Sequence, residues 1–180
     1  MEIKRDVYLD RLIVRKHNGL IKVITGIRRS GKSYLLNTLF YRHLIAENIS
    51  EDHIIKFAFD SAEDLLKIGE DPIVLDNEKE DRKVDPSKFI NWLMPQIKGD
   101  GMYYLLLDKV QKLGAFESVL NGFLHRENLD VYVTGSNSKF LSKDILTEFR
   151  GHGDEVHVLP LSFSEYYTFK QGDKSEVYDD

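Results

Sequence analysis

Residues 26–33 read Gly-Ile-Arg-Arg-Ser-Gly-Lys-Ser, and their flanks leave few folds open to this chain. Before them, Ile21, Val23, Ile24 and Thr25 make a short run dominated by β-branched residues. Such a run, stopped by a glycine, reads as a buried strand ending in a turn. After them, Leu35, Leu36, Leu39, Phe40 and Leu44 recur at helical spacing, which predicts an amphipathic helix to about residue 48, packed on a sheet. The octet satisfies G-x-x-x-x-G-K-[ST] between strand and helix, the context that a phosphate-cradling loop requires. Glycines let the backbone wrap closely, successive amides and the helix N-terminus face the phosphates, Lys32 supplies a point charge, and the Ser33 hydroxyl can ligate magnesium. Gly26, Ile27, Arg28, Arg29, Ser30, Gly31, Lys32 and Ser33, with Tyr34 next in the helix, therefore form the candidate nucleotide-binding set. An ordinary glycine turn capping a helix is the weaker reading in this context.

Further along, residues 54–59 read as a second strand. Residues 63–83 are rich in acids, with Gly69, Pro72 and Asn77 as breakers, and are expected to form a surface excursion. Asp85-Pro86 is a helix-start signature, and Phe89, Ile90, Leu93 and Met94 then share one face to about residue 98. Residues 103–107 are continuously apolar and end in Asp108, which suits a central parallel strand. Phe116, Val119, Leu120, Phe123 and Leu124 predict another helix, and residues 131–134 and 155–158 two more strands. Strands alternating with helices argue for an α/β fold with a parallel sheet covered on both faces, its ligands outside the carboxyl ends of the strands. Asp108 stands at such an end, where a carboxylate holds magnesium directly or through its water. Without the loop motif it would read as an aspartate that merely starts a loop.

Composition removes other classes. The chain has 180 residues, 42% of them hydrophobic, enough for one α/β domain with a sizeable core. No run of eighteen apolar residues occurs, and charges are mixed through the first ten, so neither a membrane span nor a secretion signal is expected. There is no cysteine, which excludes disulfides and cysteine-ligated zinc and is compatible with a cytoplasmic location. A net charge of −5 exerts no overall pull on nucleic acid, leaving a local basic patch as the only route to such a partner. The six histidines show no HExxH spacing, so no metal beyond magnesium is indicated.

Taken together, these residues resemble a family of bacterial and archaeal AAA-type ATPases. The resemblance covers nearly the whole chain. It is carried by Ile24-Thr25-Gly26-Ile27-Arg28-Arg29-Ser30-Gly31-Lys32-Ser33, by Leu105-Leu106-Leu107-Asp108, and by Thr134-Gly135-Ser136-Asn137-Ser138. It continues through residues 141–150 with Gly151 and ends in Leu159-Pro160-Leu161-Ser162-Phe163-Ser164-Glu165-Tyr166. It implies a P-loop NTPase three-layer sandwich with five strands in the order 5-1-4-3-2, the loop strand beside the Ser136 strand. It implies ATP with Mg2+, held at Ser33 and Asp108. Lys32, Asp108, Asn137 and Arg150 would be the catalytic set, Ser136 or Asn137 sensing the γ-phosphate and Arg150 reaching the nucleotide of a neighbouring subunit in a homo-oligomer. It also implies that the whole of 1–180 is an ATPase core, ending where a C-terminal domain would begin. Two bland readings stand beside these: residues 135–137 as a polar, helix-capping turn, and Arg150 as a helix-ending arginine before the stop residue Gly151.

Two positions depart from the family pattern. Lys109 stands where a glutamate usually polarises the attacking water, and a protonated lysine cannot act as a base. Hydrolysis is thereby put in question while binding is not; Lys109 pairs with a phosphate or is a surface residue, and Glu155 and Asp60 are the other acids considered for the role. His152 stands where a second arginine is common. Arg28 and Arg29 are open to phosphates, to a partner chain or to acids across the surface, the last being favoured for at least one of them. Trp92 and the aromatics Phe163, Tyr166, Tyr167 and Phe169 are expected to pack. Three functions compete: an ATPase module that moves a C-terminal domain or partner subunit, a nucleotide-binding switch or scaffold with little turnover, and a small-molecule kinase. No Asn-Lys-x-Asp tetrad occurs, which tilts the nucleotide toward ATP.

Overall fold

The computed structural model describes residues 5–75, 82–135 and 151–170. Its centre is one sheet of five strands: β1 (Ile21–Thr25), β2 (Ile54–Ala58), β3 (Tyr103–Asp108), β4 (Leu129–Thr134) and β5 (Gly153–His157). They lie in the order β2-β3-β4-β1-β5, every neighbouring pair parallel, which is the expected 5-1-4-3-2 read from the other edge. β1, β3 and β4 are buried at every position, so their sequences run apolar rather than alternating. The edge strands β2 and β5 expose Lys56, Glu155 and His157.

Helices cover both faces. α1 (Asp6–Ile13) and α2 lie on one side. α2 is a continuous helix made of Lys32–Tyr34, a π-helical stretch Leu35–Phe40 and Tyr41–Ala46. Leu12, Leu35, Leu36, Phe40 and Leu44 pack there on Ile24, Leu106 and Tyr132. On the other side, α3 (Ala62–Lys67), α4 (Pro86–Leu93) and α5 (Phe116–Phe123) bring Leu65, Phe89, Leu93, Phe116 and Leu120 onto Val23, Phe57, Leu105 and Val133. The last described helix is α6 (Phe163–Lys170). The Asp85 carboxylate caps α4 by accepting from Ser87 N at 2.8 Å, as its Asp-Pro start suggested.

Two expectations need correcting, and one helix lies where none was predicted. The acid-rich stretch 63–83 is not all surface excursion. Ser61 caps α3, accepting from Asp64 N at 3.3 Å, and Leu65 and Ile68 join the core. Glu63 and Asp64 fall in that helix's first turn, where carboxylates suit the dipole. The charge-mixed N-terminal stretch contains α1, whose Leu12 is fully buried with Tyr8, Leu9 and Ile13 against the same cluster. Trp92 does pack, its ring 5.0 Å from Phe57. Phe163 is instead 81% exposed and Tyr166 and Tyr167 are exposed too; Phe163 stacks on Tyr167 at 6.0 Å as the i,i+4 pair of a helix surface.

At the amino ends of the strands, Lys22 of β1 and Asp130 of β4 form a buried ion pair. Asp130 also accepts from Tyr132 Oη at 2.8 Å and from His17 N at 3.1 Å, while Lys22 donates to Leu20 O at 2.8 Å. Burial pulls the Lys22 ammonium below its usual range against the opposing pull of Asp130, and burial beside the same carboxylate pushes the Tyr132 phenol up. These partners satisfy a charge that would otherwise be prohibitive inside a sheet.

Candidate functional site

The site begins where β1 stops. Gly26 has φ +137°, and a Cβ there would lie 2.2 Å from Val158 O. That carbonyl is held close because Val158 N donates to Thr25 O at 2.9 Å, extending the β1–β5 ladder by one residue. Gly26→Ala is therefore expected to lower stability by about 3 kcal/mol, the upper end of overpacking costs, read as a drop in urea midpoint at unchanged slope. An unchanged midpoint would mean that the loop relaxes freely.

Ile27, Arg28 and Arg29 are exposed. The chain then turns back: Ser30 N donates to Ile27 O at 3.3 Å, Arg29 takes φ +66° and Gly31 φ +89°, and Ser30 is buried beneath. Leu35 N donates to Gly31 O at 2.9 Å, so α2 starts within the motif. Among the described residues no side chain caps its N-terminus, which leaves its first amides and the positive end of the helix dipole at the end of the loop. Among the described residues neither Arg28 nor Arg29 forms an ion pair with an acid, so the pairing expected for one of them is not found there.

Lys32 folds back inside this arc. Its Nζ donates to Gly26 O at 2.9 Å and Ile27 O at 2.7 Å, with Ser30 Oγ at 3.5 Å. Burial lowers its pKa, the Lys109 ammonium lowers it further, and Asp108 pulls it back up. Lys109 thus bears electrostatically on the loop lysine instead of standing clear of it. Ser33 Oγ donates to Asp108 Oδ1 at 3.0 Å, so the two oxygen donors singled out in the sequence meet at the mouth of the loop.

Asp108 is buried and held from three sides. The Thr134 hydroxyl donates to Oδ1, Asn37 Nδ2 approaches Oδ2 at 3.4 Å, and the Asp108 carbonyl accepts from Phe59 N at 3.0 Å. Thr134 Oγ1 also accepts from Lys109 N at 3.1 Å. That bond helps fix Lys109 at φ +59°, a left-handed conformation uncommon for a residue with a side chain. Thr134 and Asn37 were not foreseen. Asn37 lies one helical turn beyond Ser33, a spacing that places both on the same face of α2; Thr134 needed the β3–β4 neighbourhood to become visible.

Of the remaining candidates, Tyr34 lies in the first turn of α2, while Ser136, Asn137 and Arg150 lie outside the described residues. Glu155 accepts from the Thr25 hydroxyl on the sheet face away from α2, and His157 lies 3.8 Å from it. Asp60 is exposed past β2. His152 precedes β5 and its carbonyl accepts from Ile21 N at 2.8 Å, which puts it at the strands' amino ends, opposite the loop.

This geometry agrees with comparisons to known proteins. An uncharacterised protein of Haemophilus influenzae is 34% identical over 173 residues, covering 95% of this chain and 39% of the relative. An uncharacterised protein of Methanocaldococcus jannaschii is 29% identical over 180 residues, covering 98% and 33%. The chain thus spans well under half the length of these curated relatives. Among solved structures, the Aeropyrum pernix ORC1 protein in complex with DNA matches with TM-score 0.57 at 11% identity, over 100% of this chain and 51% of that one. A DNA polymerase III gamma subunit-related protein of Thermotoga maritima matches with TM-score 0.56 at 10% identity, over 91% and 48%. These likenesses show a shared fold. A family model described as an AAA domain matches residues 18–167, a span holding the loop, Asp108 and all five strands, and the chain belongs to that family of AAA-type P-loop ATPases.

Proposed function

We propose that the domain binds ATP with magnesium at residues 26–33 and Asp108, turns it over slowly because of Lys109, and uses the nucleotide state to move an attached domain or a neighbouring subunit. The observation that carries this reading is the meeting of Ser33 Oγ and Asp108 Oδ1, 3.0 Å apart, beside the Lys32 ammonium. Two oxygens at adjacent corners of a magnesium octahedron, each at about 2.0–2.1 Å from the ion, stand about 2.9 Å apart. Both donors are hard oxygens, which suits magnesium. When bound, magnesium would neutralise charge on the β- and γ-phosphates.

The residues divide the work. Lys32 and the first amides of α2 bind phosphate oxygens, Gly26 and Gly31 give the backbone the shape to do so, and Thr134 and Asn37 orient the Asp108 carboxylate. Ser136 and Asn137, which follow β4, are proposed to read the γ-phosphate, and Arg150 to reach a neighbouring subunit's nucleotide. The additional length of the relatives is where the domain acted upon is proposed to reside. A DNA partner, present in the ORC1 complex, is not favoured here, because a net charge of −5 gives the phosphate backbone no general attraction.

Asp108→Asn tests the metal assignment. In the unaltered protein, magnesium is expected to tighten ATP binding; partners that merely orient a metal ligand are worth about 10–100-fold in metal affinity, so removing the ligand's charge should erase that enhancement. Titration of a fluorescent ATP analogue with magnesium and with chelator checks it. Equal enhancement in both proteins would remove Asp108 from the metal site.

A further inference from the structure

Arg5 is the feature that nucleotide binding alone leaves unexplained. It is 3% exposed although it lies far from the motif in sequence, and its guanidinium joins three separate pieces of the chain. Nη1 donates to Ser30 O of the phosphate loop at 2.8 Å, and Nη2 donates to Leu159 O, beyond β5, at 2.7 Å. Nε stands 3.2 Å from Glu165 Oε1 of α6, an ionic contact rather than an aligned hydrogen bond. The guanidinium also lies over the Tyr8 ring, 4.5 Å from its centroid, and the Tyr8 hydroxyl accepts from Leu159 N at 3.3 Å. Gly31 leaves room for it, since a Cβ there would sit 3.4 Å from Nη1.

Glu165 faces two ways. One oxygen meets Arg5, and the other accepts from Ser162 N at 2.8 Å while Ser162 Oγ accepts from Glu165 N at 3.2 Å. This reciprocal Ser-x-x-Glu box begins α6. The start of α6 and the carbonyl of Ser30 are therefore held by the same buried cation. A planar guanidinium can bridge such partners simultaneously, which a single ammonium cannot.

We propose that Arg5 is a positioning residue that couples the phosphate loop to α6, so that phosphate binding at residues 26–33 and seating of α6 stabilise each other. The reciprocal half rests on the proposed nucleotide binding; the structural half does not. Linkage requires the effect to run both ways: a phosphate that orders the loop orders α6, and loosening α6 at Glu165 loosens a loop that Glu165 does not touch. α6 carries the exposed Phe163, Tyr166 and Tyr167, so nucleotide state would be felt at an apolar surface.

Hydrogen exchange in the unaltered protein, Glu165→Gln and Arg5→Lys tests this, with circular dichroism checking the fold. Glu165→Gln keeps an amide oxygen for the Ser162 cap and removes the charge facing Arg5. It is expected to speed exchange about tenfold at the hydrogen-bonded amides of the loop and its exit, Ser30 and Leu35, the equivalent of one weakened charge-assisted bond. Arg5→Lys should do the same or more while keeping the positive charge. Magnesium ATP should slow exchange in α6 of the unaltered protein, and less so in Glu165→Gln. Faster exchange confined to α6, with the loop unchanged, would overturn the proposal. If the unaltered protein fails to bind magnesium ATP, the proposed function falls, while the loop measurement still decides whether Arg5 couples the two elements.

Discussion

Lys32→Ala is expected to yield a folded protein that has lost about two to four orders of magnitude in ATP affinity, since hydrogen bonds to a charged group contribute about 1.5–3 kcal/mol each and a triphosphate offers this ammonium at least two. The side chain is buried, and its charge is opposed by that burial and by Lys109. In the structure it rests on the carbonyls of Gly26 and Ile27, so it is held where phosphate oxygens would arrive. Deleting it removes a desolvated charge but leaves two carbonyls short of a donor. These effects oppose each other, and only a small shift in thermal midpoint is expected. Isothermal titration with magnesium ATP, beside a melting curve, separates affinity from folding. An unchanged dissociation constant would mean that the loop does not bind phosphate.

Lys109→Glu is the second large effect, in the opposite direction. A positioned general base contributes about 10²–10⁴ in rate, and the substitution places a carboxylate next to Asp108 on a backbone already held by Thr134. Lysine and glutamate face the same cost in the left-handed conformation at this position, so the new side chain should leave the main chain in the same direction. Removing the ammonium also relieves the like-charge repulsion on Lys32. Single-turnover hydrolysis of radiolabelled ATP is expected to rise by about 100-fold or more, with a modest loss of affinity from the added negative charge. If the unaltered protein already turns ATP over as fast as the variant, Lys109 is not what limits hydrolysis.

The sequence displayed most of the sheet and the phosphate loop because both rest on local signals. Strands buried on both sides must be apolar throughout, as residues 103–107 are, and a loop that wraps phosphates needs glycine, lysine and a hydroxyl at fixed spacing. What escaped notice depends on neighbours distant in sequence. Thr134 matters because β4 lies against β3, and Arg5 because α1 brings it under Ser30. α1 carries no such local signal, because charges interleaved along a short amphipathic helix hide its apolar face when read linearly. The acids of α3 read linearly as a surface run, whereas in the fold they mark a helix N-terminus. The exposed aromatics of α6 mislead in the other direction, since apolar character alone does not say which surface covers them.

The Lys22–Asp130 pair lies at the far end of β1 from the loop, about 13 Å below Gly26 at about 3.3 Å of rise per residue. Its partners on β1 and β4 can meet only when Lys22 stands opposite Tyr132. A slip of one residue would shift the strand by about 3.3 Å and turn its faces over, stranding both charges and carrying Gly26 away from Val158 and Ser33 away from Asp108. The buried pair thus acts as an alignment pin: it makes misthreaded β1 costly during folding, so that Ser33 and Asp108 arrive level with each other only when the sheet is in register.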